Sequence, residues 1–352
     1  MAAATEHSSS PKGGSAPADH PRGDATVHAP VMVARITALL ATDRPGVLVD
    51  ATLGAGGHAV ALLEASHPET VLVGFDRDAD ALAVARRRLA PFGDRAVLVH
   101  DAYDTLDVHL AGDGFGPVLG VLYDLGVSSL QLDTAGRGFS FRAPAPLDMR
   151  MDPRQETTAA DLVNTLSEGE LAAVLRGYGE ERSAGRIARA IVAARPLHTT
   201  TQLAELVAGA VPARVRFGPV HPATRTFQAL RIATNGELDR LRASLPQALG
   251  LAAPAADTVR GGRIAVLSYH SLEDRIAKAA FADAATGCIC PPELPVCGCG
   301  RVPLVRSLTR GADTPDPDEV AANPRARSAR FRAVERTAAY PRERRTGAAN
   351  GR

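Results

Sequence analysis

The sequence contains no tryptophan, and aromatic residues make up 4% of its 352 positions. Lysine is nearly as scarce. Lys12 and Lys278 are the two, so arginine supplies 38 of the 40 basic side chains. With abundant alanine, this is the mark of GC-rich codon usage, and an isolated arginine is read first as solvated surface. The four cysteines all lie within 288–299, which excludes a chain-wide disulfide framework. No apolar run reaches the length of a bilayer span, and the N-terminus lacks the apolar core of a signal peptide. A cytoplasmic protein with no membrane contact is expected. A net charge of +1 neither selects nor excludes an acidic partner. The length suffices for a full core, in one large domain or two smaller ones.

What is present is organised around Val47–His58, VLVDATLGAGGH. An apolar strand ends in Asp50, a turn carries Gly54, Gly56 and Gly57, and a helical pattern starts at Ala59. Glycine is needed where a turn takes positive φ and the backbone must approach a ligand. Further strand patterns follow at Val71–Phe75, Ala96–His100 and Val118–Tyr123, with a helix between successive strands. A fifth, GRIAVLS, covers Gly262–Ser268. This alternation predicts an α/β fold with a doubly wound parallel sheet, whose ligands sit beyond the C-terminal strand ends. Asp50, Asp76, Asp101 and Asp124 all fall at those ends.

Residues 1–27, rich in Pro, Gly, Ser and charge, read as a disordered tail. After Asp124 the alternation stops. Residues 136–152 form a Gly/Pro-rich loop with Phe139 and Phe141, and a helical block then runs to about Pro212. Ser167 and Glu170 make a capping box ahead of LAAVLRGYG. The stretch GEERSAGRIARAIVAAR reads as the next helix, with Arg182, Arg186 and Arg189 on one face. That face is either solvated or a stripe that grips phosphate. Residues 301–352 hold twelve arginines against six acids and read as a basic tail, either RNA-contacting or solvated.

Gly54–Ala59 satisfies the dinucleotide pattern G-x-G-x-x-A, and Asp76 lies nineteen residues past Gly57, so an NAD-dependent oxidoreductase is one reading. A pyrophosphate wants an unopposed helix N-terminus, however, and Asp50 lies just upstream. A carboxylate there suits the ammonium and sulfonium of S-adenosylmethionine (SAM). Asp76 would then accept from ribose hydroxyls, Tyr103 could stack on adenine, and His58 could donate to the methionyl carboxylate.

HAPVM, DATLGAGGH, GFDRD, LYDLGVSSLQLD, RGFSF, PLDMRMDP, TAADLVNTLSEGELAAVLRGYGEERSAGRIARAI, HPATRTFQALRIA and GGRIAVLSYHSLEDRIAK, in this order over roughly residues 28–340, resemble the RsmH (MraW) family. These are bacterial 16S rRNA cytosine-N4 methyltransferases. The resemblance implies a Rossmann-like class I SAM-dependent methyltransferase fold with an inserted all-helical domain. It implies methylation of the exocyclic N4 of a cytidine in the decoding region, with SAM as cofactor and the small ribosomal subunit as partner. Domain bounds follow: 28–135 and 216–312 for the methyltransferase domain, 136–215 for the helical insertion, and 313–352 for a basic, partly disordered tail. Carried over by position, the SAM contacts are Gly56, Gly57, His58, Asp76, Tyr103, Asp124 and Gln131. Leu130 stands where the family has proline, FRAPAPLD departs from FxxDGPLD, and Thr234 and Gly236 interrupt VNxEL. Monomer and homodimer both stay open, and methylation of DNA or protein is the nearest alternative activity.

Asp124 is the catalytic candidate, as acceptor for the N–H groups of the attacking amine. Amine methyltransferases commonly place N/D-P-P-Y/F there, but Asp124-Leu125-Gly126-Val127 lacks the aromatic. Phe139, Phe141 or Tyr123 is the candidate to stack on a flipped cytosine. Methylation at C5 would need a cysteine near the strands, and none lies there. His270, after the fifth strand, is a candidate contact for base or phosphate. Cys288-x-Cys290 and Cys297-x-Cys299 offer four thiolates, but C-x-C pairs fit tetrahedral zinc less often than C-x-x-C, so no metal is expected.

Overall fold

A computed structural model describes residues 30–111, 114–256, 258–292 and 298–338. The N-terminal segment expected to be disordered lies outside them, as do residues 339–352. Seven strands form one sheet: β1 (Val47–Asp50), β2 (Val71–Phe75), β3 (Ala96–Val99), β4 (Val118–Asp124), β5 (Arg263–Ser268), β6 (Val305–Ser307) and β7 (Arg330–Arg336). Their order is β3-β2-β1-β4-β5-β7-β6. The first five strands pair in parallel, and β7 runs antiparallel to both β5 and β6.

Both faces of the sheet are covered, which is why its strands read as unbroken apolar runs. Alternation along β1 divides the core. Val47 and Val49 join Leu241, Leu245 and Phe281 of the helices Glu237–Leu251 and Ser271–Ala285. Leu48 faces the other way, onto Ile36, Leu62 and Leu82 of the helices Val33–Leu40, Gly57–Ala65 and Ala79–Leu89. The strand order reverses between β1 and β4, and that switch point opens a crevice at their C-terminal ends. The expected doubly wound sheet is present, and the expected helical insertion lies between β4 and β5. Among the described residues no helix is long and apolar enough to cross a membrane.

Three expectations need correcting. The helical insertion does not end at 215. Helix Thr224–Asn235 buries Phe227, Ala229 and Leu230 in the same core as Leu171, Leu175 and Ile187, so the insertion runs on to Asn235. The segment from 313 is no tail as far as 338. Strand β7 fills the sheet beside β5, with Phe331 wholly buried. Ahead of it, Asp313 pairs with Arg35 at 2.9 Å, Glu319 accepts from the Met32 amide, and Arg325 reaches Asp133 at 2.8 Å. Finally, the stretch read as one helix from Gly179 is divided. Glu180 takes the left-handed conformation (φ 48°) and ends the helix Glu168–Gly179, and the next begins at Ala184. The capping box of Ser167 and Glu170 forms as expected.

Candidate active site

The glycine turn joins β1 to the helix Gly57–Ala65 at the switch point. Gly54 (φ 52°) and Gly56 (φ 77°) hold left-handed conformations that a Cβ would strain. Gly57 is required for space: a Cβ there would lie 2.6 Å from Pro30 Cγ, so Pro30 packs directly on the turn. Three of the four strand-end aspartates converge on it. Asp50 is 1% exposed and accepts from the Thr52 amide at 3.1 Å. Burial pushes its carboxyl up to about 7, with the Asp124 and Asp76 charges adding to the rise and His58 opposing it. Asp76 accepts from the amides of Gly54 (2.8 Å) and Asp78 (2.9 Å), and its burial also raises its pKa. Asp101 does not join them; it turns to the His109 ring at 3.0 Å.

Asp124 closes β4, its amide donating to Thr52 Oγ1 at 2.6 Å. Its two carboxylate oxygens have different neighbours. The Tyr269 hydroxyl donates to Oδ1 at 2.9 Å, and His58 Nε2 lies 3.3 Å from Oδ2. The His58 ring is buried and not aligned for a hydrogen bond to that oxygen, and Nδ1 has no partner among the described residues. Burial alone would lower the His58 pKa; the carboxylates of Asp124, Asp50 and Glu319 outweigh it and hold the pKa above the ordinary imidazole range. The Tyr269 phenol is driven up by burial and by the Asp124 charge, and so remains a donor.

Gln131 and Tyr103 flank this centre. The Gln131 amide completes a capping box with Ser128 and donates to Asp78 Oδ2 at 2.9 Å, and Arg137 binds the same oxygen at 3.0 Å. Tyr103, half-buried, donates to the Glu237 carbonyl at 3.2 Å and meets Tyr123 edge to face.

The aromatic residues expected to stack on a target base are packed elsewhere. Tyr123 is 0% exposed and tied to Ser244 Oγ at 2.6 Å. Phe139 lies in the core of the helical insertion, and Phe141 lies against the His221 ring and meets Phe227 edge to face. The aromatic that does border Asp124 is Tyr269: a Cβ on Gly126, two residues past Asp124, would lie 3.5 Å from its ring. The signal was its neighbour, since His270 drew attention to the same loop. His270 itself is turned away, capping the helix Ser271–Ala285 and lying 3.1 Å from the buried Glu273 carboxylate. Arg182, Arg186 and Arg189 are exposed, Arg189 with Glu168 3.4 Å away.

An ionisable acid at the glycine turn, with a second carboxylate across from it, opposes a pyrophosphate and suits a cation. That disfavours a dinucleotide here.

The chain matches the model of the MraW methylase family over residues 25–337. It is 54% identical over 324 residues to the ribosomal RNA small subunit methyltransferase H of Thermobifida fusca, covering 90% of this chain and 96% of that one. It is 52% identical over 327 residues to the protein of that name from Mycobacterium sp. (strain KMS), covering 91% and 86%. A third relative, from Syntrophotalea carbinolica, is 53% identical over 312 residues, covering 88% and 98%. With its glycine turn, its strand-end acids and its helical insertion, the chain belongs to the MraW methylase family.

Proposed function

We propose that the protein methylates the RNA of the small ribosomal subunit, transferring the methyl group of SAM to the exocyclic N4 of a cytidine in the decoding region of 16S rRNA. The observation that carries this reading is Asp124, held between the Tyr269 hydroxyl and the His58 ring at the end of β4. The names of the relatives support the small-subunit RNA as substrate.

The residues fit the cofactor. Gly54 and Gly56 hold the left-handed turn that starts the helix at Gly57, His58 Nδ1 is a buried polar atom without a hydrogen-bond partner among the described residues, and Asp50 supplies negative charge against a cation. Asp76, Tyr103 and Gln131 would hold the nucleoside. When bound, SAM supplies a methyl group activated by its sulfonium.

The N4 lone pair of cytosine is delocalised into the ring. Asp124 accepts a hydrogen bond from the amine, which localises that pair toward the methyl. The N4 amine would take up the methyl group that the bound cofactor carries on its sulfonium, and the Asp124 carboxylate would accept the surplus N4 proton. Tyr269 holds Oδ1 in place, so the carboxylate meets the amine in a fixed orientation. Methylation at C5 would need a thiolate at the ring's C6, and the four cysteines all fall at 288–299, with none in the segments that directly follow β1 to β4.

The test is to incubate the protein with methyl-labelled SAM and small subunits lacking the modification, then digest the RNA to nucleosides. Label in N4-methylcytidine is the expected result. Label at another position, or on DNA or protein alone, would exclude the reading.

A further inference from the structure

Between the helix Ser271–Ala285 and β6 the chain makes an excursion whose base is closed. The Leu304 amide donates to the Ala284 carbonyl at 2.8 Å, and Thr286 donates to Asp283 at 3.1 Å. No described residue from 286 to 304 is buried, and Ile289 is 61% exposed. A segment of that kind has no apolar core to fix its shape, and small units without a core commonly rely on a disulfide or a metal.

What this one has is sulfur. The Sγ atoms of Cys288, Cys290 and Cys299 all lie within 4.8 Å of one another. Those of Cys288 and Cys299 are 3.8 Å apart, and the Cys290 amide points to Cys288 Sγ at 3.4 Å. Two sulfurs on a tetrahedral zinc, each bonded at about 2.3 Å, are separated by about 3.8 Å. In a disulfide they would be about 2.0 Å apart. An amide aimed at a sulfur is the outer-shell contact that steadies a metal-bound thiolate.

We propose that Cys288, Cys290 and Cys299 are thiolate ligands of a structural zinc ion that ties the outgoing side of the excursion to its returning side. Soft thiolate ligands select zinc over hard divalent cations such as magnesium or calcium. The two C-x-C spacings argue against a metal when read as sequence, yet the fold brings the sulfurs to the separation a metal needs. The excursion leads into β6 at the edge of the sheet, three places from β4, so the ion acts on structure and takes no part in methyl transfer.

The full chain, purified under reducing conditions without a metal-affinity tag and passed through metal-free buffer, is assayed for bound metals by plasma mass spectrometry. About one zinc per chain is expected, released when the thiols are titrated with a mercurial. Growth with cobalt in place of zinc should give the intense visible bands of a tetrahedral cobalt–thiolate site. The double variant Cys288→Ser/Cys299→Ser should retain less than about a tenth of the metal and be cleaved by protease within 286–304 at least about fivefold faster. Its circular dichroism and SAM affinity should be unchanged. Wild-type protein that carries no zinc, a double variant that keeps it, or a Cys288–Cys299 disulfide in the reduced preparation would each overturn the proposal.

Discussion

Asp124 is set by two neighbours that come from distant parts of the chain. Tyr269, just after β5, holds one oxygen, and His58, at the start of a helix after β1, faces the other. Removing the phenol hydroxyl by Tyr269→Phe should lower kcat about tenfold or more, the cost of one hydrogen bond to a charged group, while SAM affinity moves less than about threefold. Stopped-flow transfer and calorimetric titration separate the two effects. Asp50 makes a second prediction. With its pKa near 7 before the cofactor arrives, it takes a proton as pH falls, and the positive charge of SAM favours the ionised form. SAM affinity should therefore strengthen from about pH 6 to 8, by at most about tenfold per unit. Asp50→Asn should bind more weakly and with a flatter profile, as titration calorimetry across pH would show. The sequence placed both aspartates correctly, because strand ends are legible from apolar runs. It did not give the direction of a side chain. Tyr269 and His270 are neighbours, and one faces Asp124 while the other turns back to cap its helix.

Strands β1 to β5 match the sequence reading to within a residue or so, because burial on both faces leaves long uninterrupted apolar runs. Strand β7 was hidden for the opposite reason. In RFRAVER the apolar residues alternate with arginines, and the stretch sits in a basic context that reads as a tail. Its arginines are paired locally, Arg332 with Asp274 at 2.6 Å and Arg336 with the Leu304 carbonyl at 3.0 Å. Phe331→Ala should therefore cost about 3–5 kcal/mol, as a fully buried aromatic does and a tail residue does not; denaturant unfolding measures it. The reach of the helical insertion was missed similarly. HPATRTFQALRIA looks like any amphipathic helix, and the core that its Phe227 enters is decided by tertiary packing. Its junction with the next helix is a bidentate pair, Arg231 with Glu237 at 2.8 and 2.7 Å, both largely buried. Arg231→Ala strands the Glu237 carboxylate and should destabilise the fold by about 3–5 kcal/mol, while Arg231→Ala/Glu237→Gln should recover part of that loss.

In the whole molecule, the sheet carries the strand-end aspartates at its switch point, and the helical insertion leaves Arg182, Arg186 and Arg189 exposed. If that stripe meets RNA phosphates, replacing all three with Gln should weaken subunit binding and reduce its salt dependence by up to about three charges, leaving SAM binding intact. An unchanged salt slope would mark the stripe as solvated surface. In the proposed reaction Asp124 takes the proton from the attacking amine, and single-turnover transfer to small subunits by Asp124→Asn isolates that step. The amide keeps the shape and loses the basicity. With SAM and subunits bound at saturating concentration, the yield of N4-methylcytidine per unit time should fall by about a hundredfold or more. A rate within about threefold of the wild type, under the same saturation, would contradict the account.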